Sequence, residues 1–138
     1  MQKNKKRVGY KQTKVGWIPQ AWDCLRLKEC SLKIGSGITP KGGDAVYVEH
    51  GIPFIRSQNV LSGQFTEVGL KYITDHQHGL MKSSALQSND VLFNITGASI
   101  GRSCLLPIGL KAANLNQHVC IIRLKDEFDP ELFSSILN

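Results

Sequence analysis

A chain of 138 residues with 41% apolar and 20% charged side chains has the size and make-up of one ordinary globular domain, which excludes a wholly disordered chain or a coiled coil. The formal charge of +6 is carried by the N-terminus, where Lys3, Lys5, Lys6, Arg7, Lys11 and Lys14 all precede the first acid, Asp23. The body is neutral, and no apolar run approaches the ~20 residues of a membrane span.

Residues 1–15 read as a flexible basic arm, suited to attract a polyanion without reading its sequence or to act only as a solvated tail. The folded part is expected over 16–128. Gly16-Trp17-Ile18-Pro19 opens it, with Trp17 and Trp22 as packing residues around a Pro turn. Alternation over Trp22–Leu27 predicts a strand. A short turn or helix at Lys28–Cys30 then leads into a strand at Leu32–Ile34, and the glycine-rich stretch 35–43 is a long loop. Strands follow at Ile52–Arg56 and Lys71–Ile73, with a hairpin between them over 61–69. Thr74 and Asp75 cap a helix over 75–84, and 87–90 is a polar turn. Val91–Ile95 is the clearest strand, with Val91, Phe93 and Ile95 on one face. Gly97-Ala98-Ser99-Ile100-Gly101 is a tight turn into a strand over 102–106. Asn114–Gln117 reads as a turn into the strand 118–124. Asp129-Pro130-Glu131 starts a helix over 129–138 with Leu132, Phe133, Ile136 and Leu137 as its apolar face. Strands predominate and no strict βαβ order appears, so the expected class is α+β. A helix barely two turns long is marginal alone, so the chain reads as one piece of something longer.

The chemistry of common enzymes is missing. No phosphate-binding G-x-x-x-x-G-K-[ST] and no G-x-G-x-x-G occurs, and the acids are too scattered for a paired-carboxylate metal site. Cys24, Cys30, Cys104 and Cys120 form no C-x-x-C and no zinc pattern with the histidines, so they read as small core residues and no cofactor is implied. Gly97-Ala98-Ser99-Ile100-Gly101 matches the spacing of a hydrolase nucleophile elbow, with Ser99 as nucleophile, but an elbow needs a helix next and a strand is predicted. The polar, basic start has no apolar block behind it, so no secretion signal is read and a cytoplasmic location is expected. The Asn94-Ile95-Thr96 glycosylation sequon then carries no meaning.

Several segments occur together in order: Gly16-Trp17-Ile18-Pro19 with Trp22; Leu27; Gly35-Ser36-Gly37-Ile38-Thr39-Pro40; Ile52-Pro53-Phe54-Ile55-Arg56; Asp90 through Arg102; and Asn116-Gln117-His118-Val119. Over residues 16–138 this set resembles the target recognition domain of a type I restriction–modification DNA specificity subunit. The resemblance implies a non-catalytic, strand-rich domain that reads one half of a bipartite double-stranded DNA target. It also implies partners: adenine methyltransferase subunits, which use S-adenosylmethionine, and motor-nuclease subunits. Full-length members carry two such domains joined by long helices, which this chain lacks, so assembly with those partners is the part of the family plan it fits least.

Base reading needs donors and acceptors on loops held by a rigid sheet. The residues that fit are Ser36, Thr39 and Lys41 on the glycine-rich loop, then Arg56, Ser57, Gln58 and Asn59 after a strand, then Asn94, Thr96, Ser99 and Arg102 around the Gly97–Gly101 turn. Arg suits guanine, and Gln or Asn suits adenine. A purely structural role competes for the turn glycines and for Asn116-Gln117. Two other functions compete: a fragment acting only through protein contacts or inactive, and a serine hydrolase using Ser99.

Overall fold

The structure, a computed structural model, describes residues 7–138. It opens on a hairpin, with Tyr10–Thr13 (β1) antiparallel to Gly16–Pro19 (β2) and Tyr10 opposite Pro19. The flexible arm expected over 1–15 is therefore corrected from Tyr10 onward, while Lys3, Lys5 and Lys6 lie outside the described residues. The run of positive charge masks the β-forming Tyr10 and Thr13 at either end of the strand. Asp23 balances part of that charge, accepting from Lys11 Nζ at 3.2 Å. The strand expected over Trp22–Leu27 does not form, because no neighbouring strand offers it a ladder. Leu27–Cys30 instead makes a one-turn helix (α1), whose start is held by Arg26 N donating to Glu29 Oε2 at 2.6 Å. Trp22 is exposed and Trp17 only half-buried, so Trp22 is not the packing residue expected.

The elements that follow are Ser31–Ser36 (β3), Ile52–Ile55 (β4), Val60–Leu61 (β5), Gln64–Phe65 (β6), Lys71–Ile73 (β7), Asp75–Leu80 (α2), Val91–Asn94 (β8), Ser103–Leu105 (β9), Asn114–Leu115 (β10), Val119–Leu124 (β11) and Pro130–Leu137 (α3). Thr74 Oγ1 accepts from Gln77 N at 3.1 Å and caps α2. Asp129 Oδ1 accepts from Glu131 N and Leu132 N and caps α3. The α+β class and most of the element order stand as read from the sequence. The exception late in the chain is Asn114-Leu115, expected as a turn, which pairs in parallel with β4. The Asn114 side chain finds its partners far away in sequence: it accepts from Ser84 Oγ at 2.6 Å and donates to Met81 O at 3.0 Å.

Two sheets carry the core. One is an antiparallel four-stranded sheet in the order β3-β11-β8-β9, and the other is a three-stranded sheet in the order β10-β4-β7. The period of two along each strand divides the apolar residues between layers. Leu92, Cys104, Val119 and Ile121 join Ile55, Val60 and Leu115 in a buried layer between the sheets. Val91, Phe93 and Ile95 share the opposite face of β8, as expected, with Cys120, Ile122 and Leu124. Phe133 and Leu137 of α3 cover that face, whereas Leu132 and Ile136 stay exposed. Phe54 and Ile73 turn to the far side of the smaller sheet, under Met81.

At one end of the large sheet Asp90, fully buried, takes a two-pronged contact from Arg123: Nε to Oδ1 at 2.7 Å and Nη2 to Oδ2 at 2.8 Å. The hydrogen bonds to Asp90 hold the Arg123 guanidinium above its ordinary pKa against the opposing effect of burial. Since Val91 pairs with Ile122, the ion pair locks the register of β8 on β11. Arg123→Met strands a buried carboxylate, and a loss of about 3–5 kcal/mol is expected, read as the urea unfolding midpoint. Burial also pushes the Cys104 thiol up to about 12. With iodoacetamide at pH 8, exposed Cys24 is expected to alkylate while Cys104 stays unmodified until the chain unfolds, as peptide mass spectrometry would record.

Candidate nucleic-acid interface

The register of the large sheet gathers the polar loops. Ser36 lies opposite Cys120, Asn94 opposite Val119, and Ser103 opposite Phe93. The chain after β3, the turn between β8 and β9, and the segment before β11 therefore all leave from the same end, opposite the Asp90–Arg123 pair. The end of β4 joins them, because Asn116 N donates to Ile55 O at 3.0 Å. The loop after β3 is tied down by Gly37 N to Val119 O and Ile38 N to Leu115 O, both at 3.0 Å. A side chain at Gly37 would collide with the Leu115 and Asn116 carbonyls, so this close approach admits only glycine.

Beneath these loops sits Asn94, with no exposed surface. Its Nδ2 donates to Ser57 O at 3.0 Å, to Ser99 Oγ at 3.1 Å and to Val60 O at 3.3 Å. Asn59 is equally buried, accepting from Arg56 N at 3.0 Å and donating to Thr66 O and Val68 O. Asn59 and Asn94 were expected to touch DNA. They are corrected to struts, since a fully covered amide presents nothing to a base edge. Arg56 is half-buried and donates from Nη2 to Gly69 O at 2.7 Å, which commits part of its guanidinium to the protein's own backbone.

Above the struts Ser57, Gln58, Thr96, Ser99 and Arg102 line one concavity of about 450 Å³, with Gly97, Ala98 and His118 completing its wall. Five of the expected side chains are thus brought together. Ser36, at the end of β3, and Thr39 and Lys41, on the loop that follows, are exposed and lie outside this wall. His118 was not among the expected site residues. Its signal in the sequence was the polar run Asn116-Gln117-His118 set directly against the apolar strand Val119–Ile122. Thr96 Oγ1 and His118 Nδ1 lie 2.7 Å apart.

The concavity carries the Arg102 guanidinium on its wall. No carboxylate lines it, and Arg102 and Lys41 are exposed with no ion-pair partner among the described residues. The turn holds its shape through Gly101 N to Asn94 O and Asn94 N to Arg102 O, both at 2.9 Å. Gly97 and Gly101 adopt φ of 75° and 91°, values that disfavour any side chain. Ser99 Oγ meets the Asn94 amide and not a histidine, and the chain continues into β9 rather than a helix. A nucleophile needs a base within reach, and among the described residues no base is hydrogen-bonded to Ser99.

A scan against protein-family models finds no match. Two solved structures share the architecture. A chain from a structure on complex assembly and conformational transition of the type I R-M system matches with a TM-score of 0.66 at 20% identity, over 87% of this chain and 28% of that one. The crystal structure of the HsdS subunit from Thermoanaerobacter tengcongensis matches with a TM-score of 0.63 at 17% identity, again over 87% of this chain and 28% of that one. The chain has the fold of part of an HsdS subunit. It spans 28% of the length of each of these two chains.

Because Asn94 ties the Ser57–Val60 stretch to the β8–β9 turn through three hydrogen bonds, its removal unties two loops and takes all three bonds. Asn94→Ala is expected to cost about 2–4 kcal/mol in a urea melt. Ser99→Ala, which removes one half-exposed hydroxyl, is expected to cost under about 1 kcal/mol.

Proposed function

We propose that this chain is a non-catalytic, sequence-specific DNA-binding domain: the target recognition domain of a type I restriction–modification specificity subunit. In this reading it recognises one half of a bipartite double-stranded target. Partner adenine methyltransferase and motor-nuclease subunits, docked elsewhere on the full assembly, supply the methylation or cleavage. The observation that carries the reading is the convergence of Ser57, Gln58, Thr96, Ser99 and Arg102 in one acid-free concavity at the loop end of a rigid sheet. The shared fold with HsdS supports it.

The division of labour follows from exposure and chemistry. Arg102 offers a donor fork suited to guanine O6 and N7, and Gln58 offers the paired donor and acceptor suited to adenine. Lys41, outside the concavity, is a point charge suited to a phosphate. Ser57, Thr96 and Ser99 supply shorter hydroxyl contacts, and Ser36 and Thr39 extend the same surface along the neighbouring loop.

The test is selection from a randomised duplex pool with the full chain, followed by equilibrium binding to the enriched duplex and its single base-pair variants. One short motif is expected to enrich. Arg102→Ala is expected to lose about 1–3 kcal/mol of discrimination at one base pair. Lys41→Ala is expected to weaken all duplexes alike and to reduce the log–log salt slope by about 0.9. A pool that enriches nothing would overturn the reading.

A further inference from the structure

We propose that His118 is a specificity-determining residue of this interface, donating from Nε2 to a hydrogen-bond acceptor on a base edge, with Thr96 as the positioning residue that sets its tautomer. The inference rests on the DNA-binding reading and goes beyond it by assigning a residue and a ligand chemistry.

His118 is presented rigidly. Its carbonyl accepts from Ile95 N at 3.1 Å, and its own N–H donates to Asn116 Oδ1 at 3.1 Å. The ring is anchored as well, with Nδ1 2.7 Å from Thr96 Oγ1. Backbone and ring are thus both held before any ligand arrives, which lowers the entropy lost on binding. The side chain lines the concavity beside Arg102 and Gln58, and Nε2 has no hydrogen-bond partner among the described residues.

The chemistry of the pair selects the ligand. A neutral imidazole has one donor nitrogen and one acceptor nitrogen, and the bond made by one fixes the role of the other. If Thr96 donates to Nδ1, the ring proton sits on Nε2. If Thr96 accepts from Nδ1–H, its own hydroxyl proton needs a further acceptor, and no other partner of that hydroxyl is found among the described residues. Water can serve while the surface is open. With a duplex in place of that water, the first arrangement pairs every proton through one contact to the ligand, Thr96 O–H to Nδ1 and Nε2–H to the base, and it is the one proposed here. No carboxylate lines the wall to take the Nε2 proton, so the acceptor comes from the ligand. In the major groove it is guanine O6 or N7, adenine N7, or thymine O4.

The experiment uses the full chain and the duplex enriched by the wild type, measured against every single base-pair change. His118→Ala is expected to reduce discrimination at one base pair by about 5- to 150-fold with the salt slope unchanged. His118→Gln, which keeps a donor near the Nε2 position, is expected to retain part of that preference, and it decides the matter if the alanine variant does not fold. Thr96→Val is expected to lower the same preference about 3- to 10-fold, with rescue by Thr96→Ser. Nitrogen-15 spectra of the wild-type complex are expected to place the ring proton on Nε2. A uniform loss across all sequences, a reduced salt slope, an unchanged preference profile or a proton on Nδ1 would each overturn the proposal while leaving the DNA-binding reading intact. A wild-type chain that selects no sequence would overturn both.

Discussion

The Asn94 amide is the joint on which the polar end of this molecule depends. It sits at the last position of β8 and reaches two separate stretches of chain: the turn after β4 and the start of β5, through Ser57 and Val60, and the β8–β9 turn, through Ser99. A single buried side chain thereby fixes the spacing of two loops that come from different sheets. Such a network is worth having only when its donors are satisfied, and both amide protons of Asn94 find partners. Its Oδ1 is left without one, a polar cost carried at the base of the candidate interface.

The large sheet is anchored differently at its two ends. At the end away from the concavity, the Asp90–Arg123 pair holds β8 against β11 by charge, buried and directional. At the concavity end, register is held by neutral amides: Asn94, Asn59, and the Asn116 backbone bond to β4. Neutral struts leave the electrostatics of the surface above them to Arg102 and Lys41. A buried ion pair in the same place would have put a carboxylate beneath a surface read as a DNA-binding face. This separation fits a domain whose rigid part sets geometry and whose exposed loops set chemistry.

The parallel pairing of β10 with β4 has a consequence out of proportion to its length. Only Asn114 and Leu115 take part, yet this pairing draws the segment before β11 alongside the end of β4. It brings Asn116 and His118 beside the loops that carry Ser57 and Thr96. Gly37 completes the arrangement, because its missing side chain lets the loop after β3 lie against the Leu115 and Asn116 carbonyls.

Local signals in the sequence determined a good deal. Alternation marked Val91–Ile95 and its apolar face, Thr74 and the Asp129-Pro130 pair marked two helix starts, and the glycines marked the turn at 97–101. Each of these rests on neighbours a few residues away, which a sequence displays directly. The ordered set of motifs pointed to the fold that the two solved structures share. Tertiary structure alone decided which polar residues face outward. Asn59 and Gln58 are adjacent and chemically alike, yet one is fully buried and the other exposed, because the partners that bury Asn59 come from Thr66 and Val68. Asn94 and Thr96 divide in the same way, through bonds to residues up to 37 positions distant. The strand at Tyr10 and the pairing of Asn114 were hidden for a related reason: a strand exists only through its partner, and a run of charge or an asparagine carries no local sign of where that partner lies. Composition could nominate polar side chains for a site, but long-range hydrogen bonding chose which of them stay exposed.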